Sequence, residues 1–178
     1  MFRSPGLAIA RHHGVDTHVV AHGAFDGRAS FDAALATVID TYAPALVVLA
    51  GFLRVLTPPF VERYRGRMIN VHPSLLPAFT GLDTHARALA AGVRVHGTTV
   101  HFVSSELDAG PIIGQAALAV EPGETEAALA ARVLALEHAL LPRCIAWFLE
   151  GRVRLDGQRV RTQGLGGAQL LAMAAAQP

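Results

Sequence analysis

The run Leu46-Val47-Val48-Leu49-Ala50-Gly51 constrains the fold more than any other stretch of the 178-residue chain. An unbroken apolar run rich in β-branched residues, placed after a helical pattern, is the mark of a strand buried on both faces of a parallel sheet. The helical pattern before it sets Phe31, Leu35, Val38 and Ile39 on one face, from Ser30 as N-cap to Tyr42, with Pro44 as the stop. After it, Pro58 and Pro59 open a helix through Phe60, Val61 and Tyr64 that ends at Gly66. Met68-Ile69-Asn70-Val71-His72 then returns as a second buried strand, stopped by Pro73. Repeated β-α-β units of this kind predict an α/β domain on a mostly parallel sheet.

The flanks add to that frame. Leu7 to Arg11 reads as a short helix stopped at Gly14, and Thr17 to Ala21 as a strand. Thr84 to Ala91 reads as helical. Val95–Val103 and Pro111–Val120 read as two strands paired in an antiparallel hairpin through the polar turn 104–110. Thr125 caps a long amphipathic helix through Leu129, Val133, Leu136, Leu140 and Phe148, bent at Pro142, and Arg152–Leu155 reads as a last edge strand. From Gly164 the chain is Gly, Ala, Leu and Gln, which predicts frayed helix or disorder. The expected organisation is one domain over residues 1–163 and a flexible tail over 164–178.

Composition narrows the function. Fifteen basic against fourteen acidic residues leave a formal charge of +1 with no basic stripe, which argues against extended nucleic-acid contact. Every basic residue is Arg, so chemistry that needs a lysine, such as a Schiff base or a P-loop, is excluded. The lone Cys144 can form neither an internal disulfide nor a cysteine-based zinc site, and it reads as a buried, inert thiol. No apolar run nears the ~20 residues of a membrane span and no secretory signal opens the chain, so a cytoplasmic location without membrane contact is expected. His96 and His101 are five apart, on opposite strand faces, and no metal-ligand spacing appears, so no metal is expected.

In a strand alternate residues share a face, so Asn70 and His72 project together from the end of a predicted parallel strand, where open α/β sheets hold their ligands. An Asn amide and an imidazolium both donate hydrogen bonds, a pairing suited to an oxyanion and hence to acyl transfer. A carboxylate beside the ring favours its charged form, and Asp108 in the turn before Gly110-Pro111 is the candidate. Spacing alone does not bring Asp108 to His72. Each residue also has a plain reading: Asn70 and His72 as structural, Asp108 as a turn residue, Arg54 as a solvated charge, Glu137 as part of a polar helix face.

The ordered run Asn70-Val71-His72-Pro73-Ser74-Leu75-Leu76-Pro77, Gly81, Thr84-His85, His96-Gly97-Thr98-Thr99-Val100-His101-Phe102-Val103 and Leu107-Asp108-Ala109-Gly110-Pro111-Ile112-Ile113 resembles the phosphoribosylglycinamide formyltransferase family. Ala24 to Arg28, Val48 to Leu56 and Glu137-His138 extend the match from about Gly6 to Leu155. The resemblance implies a three-layer, Rossmann-like formyltransferase fold and transfer of a formyl group from 10-formyltetrahydrofolate to the amine of glycinamide ribonucleotide, without metal. It implies Asn70, His72 and Asp108 as catalytic, with Asn70 and protonated His72 on the formyl oxyanion. It implies Arg28, Leu53, Arg54, Val55, Leu56, Asn70, Ser104, Ser105, Glu106 and Leu107 on the folate side. Pro73, Leu134 and Glu137 fall on the nucleotide side. Partners are expected to be these small molecules alone, with the protein a monomer or homodimer.

The family opens with a strand, a Gly- and Ser-rich phosphate loop, a helix and a second strand, none of which precedes Ser4 here. The expectation is therefore a chain truncated at its N-terminus, with Met1-Phe2 as the stub of the second strand. Two alternatives stay open: hydrolysis of formyl-folate by water, and a catalytically silent folate-binding fragment. A tRNA formyltransferase is disfavoured because no basic extra domain is present.

Overall fold

The computed structural model describes residues 5–173, so Met1-Phe2 and the last five residues of the tail lie outside the described residues. The chain divides into two compact units, through Pro44 and from Ala45 onward. The first holds α1 (Pro5–His12), a 3-10 turn (His22–Ala24) and α2 (Arg28–Thr41). Thr17–Ala21 is not a strand: a strand needs a ladder partner, and among the described residues this unit contains none, leaving Val19 51% exposed. Helix α2 begins at Arg28 rather than after Ser30, because the Ser30 hydroxyl, expected as the cap acceptor, instead donates to the Gly27 carbonyl at 3.0 Å.

The second unit contains β1 (Val47–Leu49), α3 (Pro58–Arg63), β2 (Met68–His72), α4 (Thr84–Ala90), β3 (Val95–Phe102), β4 (Ile112–Ala119), α5 (Glu126–Leu149), β5 (Val153–Asp156), β6 (Arg159–Thr162) and β7 (Leu170–Met173). Five strands make a sheet in the order β1-β2-β3-β4-β7. It is mixed: β1–β2 and β4–β7 run parallel, whereas β2–β3 and β3–β4 are antiparallel, the latter being the expected hairpin. Strand β1 forms the sheet's outer member among the described residues, so only Val47 of its three residues is buried, short of the double-faced burial expected for this run.

Register decides what meets at the site. His72 of β2 lies opposite Thr99 of β3, which lies opposite Gln115 of β4; Asn70 lies opposite His101. Directly opposed residues share a face, so these five side chains project together. Val100 pairs with Gly114 but His101 with Ile112, a bulge that leaves Ile113 extra on β4. Gly97 admits the neighbouring strand closely: a Cβ there would sit 1.9 Å from the Ala116 carbonyl oxygen.

On the other face, α5 starts at Thr125, whose hydroxyl accepts from the Ala128 N–H at 3.3 Å. It buries Leu129, Val133, Leu136, Leu140, Cys144 and Trp147 in one cluster with Ile69, Val100, Phe102 and Ile113. Each large side chain buried this way contributes roughly 1.5–3 kcal/mol. Two expectations about the C-terminal part give way. Arg152–Leu155 does not edge the main sheet; β5 pairs with β6 in a separate hairpin, because a two-residue Gly157-Gln158 loop with Gly157 at φ 62° in its first position favours the local partner. Nor is the described part of the tail, residues 165–173, frayed: a 3-10 turn (Gly166–Gln169) leads into β7, which pairs with the otherwise open edge of β4, and the Gln169 amide donates to the Ile113 carbonyl at 2.7 Å.

Candidate active site

Strand β2 ends at His72 because Pro73 cannot continue the ladder, and this delivers the imidazole, buried, to the sheet end. The turn after β3 carries Asp108, which adopts φ 52°, a left-handed conformation that Asp tolerates better than most residues. His72 Nδ1 and Asp108 Oδ2 are 3.5 Å apart, with both side chains nearly buried. The same Asp108 oxygen accepts the Gly81 N–H at 2.7 Å, and His72 Nε2 lies 2.9 Å from the Phe79 carbonyl oxygen. A carbonyl only accepts, so Nε2 carries hydrogen in that bond, and the Nδ1 edge is the one turned to the carboxylate.

Asn70 is held by a group that sequence reasoning weighed only as a metal ligand. His101 Nδ1 donates to the Phe102 carbonyl at 2.9 Å, so in the neutral ring Nε2 accepts, and the Asn70 amide nitrogen lies 3.2 Å from it. Burial pushes the His101 pKa down, outweighing the Phe102 carbonyl and Asp108, which favour its charged form. One amide hydrogen of Asn70 is thereby assigned and the other is left for a ligand. Gly110 makes this possible, since a Cβ there would meet the Phe102 carbonyl oxygen at 1.7 Å and His101 Nδ1 at 3.3 Å. Period-two polarity was the available signal: Thr99 and His101 alternate with apolar Val100 and Phe102, which sets a polar face on a buried strand.

A cleft beside these groups is lined by Leu49, Phe52, Arg54, Val55, Leu56, Val61, Asn70, His101, Val103 and residues 104–108. It gathers Asn70, Asp108 and, of the expected folate-side residues, Arg54, Val55, Leu56, Ser104, Ser105, Glu106 and Leu107. Leu53 is not in its lining and stands 80% exposed. Arg28 belongs to the first unit, at the start of α2. On the other side of the sheet end, the Thr98 hydroxyl has two acceptors for its one hydrogen, the His72 carbonyl at 2.9 Å and the carboxylate of Glu137 on α5. Burial raises the Glu137 pKa against the opposing pull of His138 and Thr98. Pro73 is half-buried next to His72, and Leu134 lies 48% exposed one helical turn before Glu137.

His85 and His96 form a further pair, with Nδ1 of the first 3.2 Å from Nε2 of the second. His96 is fully buried, and its Nδ1 faces the Pro73 backbone without completing a hydrogen bond. Burial, reinforced by the nearby His85 and His72 rings, lowers its pKa to about 4. Among the described residues, no group of three His, Cys, Asp or Glu side chains could hold a metal ion, and no helix is long and apolar enough to cross a membrane.

Residues 3–145 match the family described as formyl transferase. The chain belongs to that family. Over 166 residues this formyl transferase is 50% identical to the phosphoribosylglycinamide formyltransferase of Escherichia coli strain K12, covering 89% of the chain and 78% of that protein. Its fold superposes on the phosphoribosylglycinamide formyltransferase structure from Coxiella burnetii with a TM-score of 0.85 at 48% identity, covering 89% of this chain and 75% of that one. A formyltetrahydrofolate deformylase from Burkholderia mallei is more distant, at 35% identity and a TM-score of 0.80, covering 90% of this chain and 57% of the other.

Proposed function

We propose that the chain transfers the formyl group of 10-formyltetrahydrofolate to the primary amine of glycinamide ribonucleotide, a step of purine biosynthesis. The observation that carries the reading is the convergence of Asn70, His72 and Asp108 at the sheet end beside an apolar-walled cleft, in a chain half identical to an enzyme of that name. A flat pterin suits a wall of Leu49, Val55, Leu56 and Val61, and Arg54 with the polar 104–108 turn suits the rest of a folate.

The amine lone pair attacks the formyl carbon, a C–N bond forms, and the carbonyl oxygen becomes an alkoxide. The free Asn70 amide hydrogen and an Nδ1–H of His72, shared with Asp108, donate to that oxygen; an oxyanion donor of this kind is worth about 100- to 1,000-fold in rate. Collapse breaks the bond between the formyl carbon and the folate nitrogen. The proton lost by the amine ends on that nitrogen, carried by water, with Asp108 balancing the charge on the ring. Glu137, whose carboxyl burial pushes above its ordinary range, orients the incoming amine by accepting a hydrogen bond from it. Pro73 and Leu134 frame the same side, and Arg28 and Leu53 extend the folate contacts. No metal enters, the protein acts as a monomer or homodimer in the cytoplasm, and its partners are small molecules.

The deciding experiment follows 10-formyl-folate loss spectroscopically with and without glycinamide ribonucleotide, using His72→Ala as control. Nucleotide-dependent turnover that vanishes in the variant is the expected result. Equal consumption without the nucleotide would replace transfer by hydrolysis, and folate binding with no turnover would leave a binding protein.

A further inference from the structure

The mechanism uses the Nδ1 edge of His72, yet nothing in β2 dictates which edge of the ring faces the cleft. What fixes it is the Phe79 carbonyl on Nε2, at the end of a turn where Phe79 itself takes φ 55°. That turn is not held by packing alone. Thr99, fully buried, accepts the Leu76 N–H at 3.0 Å and donates to the Ser74 carbonyl at 2.7 Å. Gln115, one strand further out, donates from its amide nitrogen to the Leu76 carbonyl at 3.0 Å and to the Thr99 hydroxyl at 3.1 Å. The Ser74 hydroxyl closes the turn on the Ala78 carbonyl at 2.6 Å, one residue before Phe79.

We propose that Gln115, acting through Thr99 and the Leu76 carbonyl, is a positioning residue: it straps the 73–79 turn so that the Phe79 carbonyl captures His72 Nε2 and the Nδ1 edge faces Asp108 and the reacting carbonyl. This rests on the formyl-transfer reading for its catalytic meaning, but its structural content is a tautomer preference. Neutral His72 carries its hydrogen on Nε2 while the strap holds; with the strap cut, the ring distributes between tautomers and the Nδ1 edge is no longer aimed. The row His72, Thr99, Gln115 across three strands explains why a residue on β4 reaches a side chain on β2.

The test uses the whole chain, labelled with 15N, and long-range 1H–15N correlation of the imidazole rings, with His72 assigned by its absence in His72→Ala. The wild type is expected to show the Nε2–H form of neutral His72. Gln115→Met, which keeps length but not the donors, is expected to show mixed tautomers, and Thr99→Ser, which keeps the hydroxyl, the wild-type signature. In the formyl-transfer assay Gln115→Met should lose on the order of 10- to 100-fold in kcat, as a misaligned group does, with KM for formyl-folate within about two-fold. Gln115→Glu, which preserves shape, repeats the measurement should the Met variant fail to fold. Unchanged His72 nitrogen shifts in a folded Gln115 variant would overturn the proposal. A wild type without turnover would instead overturn the formyl-transfer reading, while the ring signature still decides the strap.

Discussion

The buried His96 makes the protein acid-labile by an amount that the structure sets. In the unfolded chain its ring takes up a proton near pH 6.5, whereas the folded ring resists protonation until about pH 4. Between those values the unfolded state binds more protons, so stability falls as pH falls, and the loss levels off below about pH 4. At 1.36 kcal/mol per pH unit, lowering the pH from 7 to 4 removes about 3 kcal/mol through this one group, a large part of the 5–15 kcal/mol typical of a domain. Urea unfolding followed by the fluorescence of Trp147, the single tryptophan, at both pH values measures the loss in wild type and in His96→Leu. The variant will differ in absolute stability because His85 loses its ring partner. The informative quantity is the pH dependence, which should shrink by about 3 kcal/mol. A pH dependence in His96→Leu within about 0.5 kcal/mol of wild type would refute the assignment of the lability to this ring.

Three further outcomes are expected. Asp108→Asn keeps an acceptor for Gly81 and His72 but removes the charge, so turnover should drop on the order of 100-fold with folate affinity, read by fluorescence titration, little changed. Cys144 is fully enclosed and burial pushes its thiol up to about 12, so an aromatic disulfide reagent at pH 8 should label it only after denaturant is added. Gly110→Ala should lower the thermal midpoint and turnover together, because the strand end must move off the Phe102 carbonyl that holds His101; overpacking of this sort costs about 1–3 kcal/mol, and unaltered kinetics in a folded variant would contradict the placement of His101 behind Asn70.

Strands β2 and β3, α5 and the 104–110 turn were legible because each carries its own signal: a proline stop at β2, alternation of polar and apolar residues over 99–102 of β3, the Thr125 cap and apolar periodicity of α5, and a polar Gly-containing turn. The pairing of His72 with Asp108 was not, since it depends on how β3 folds back beside β2, and only a likeness to a known family supplied it. His101, Gln115 and the Phe79 carbonyl escaped for a related reason: a lone histidine or glutamine in a strand carries no pattern, and a backbone oxygen has no letter. The β7 segment reads as low complexity because its strand state comes from the open edge of β4 rather than from its own residues. Thr17–Ala21 is the reverse case, a fair strand sequence with no partner strand among the described residues.

The bulge at Val100 and His101 gives chain length a chemical meaning. Ile113 is the one residue of β4 with no counterpart on β3, so it acts as a spacer that sets how much chain remains between the hairpin and Asp108. Its removal would delete one core side chain and the carbonyl that accepts the Gln169 amide, and no catalytic group. Yet it would draw the turn along the sheet by one strand step, ~3.3 Å, as far as the 3.5 Å that separates Asp108 from His72. In this hairpin a frame-preserving deletion is thus expected to pull the carboxylate away from the ring, and the count of residues is as much a part of the site as their identity.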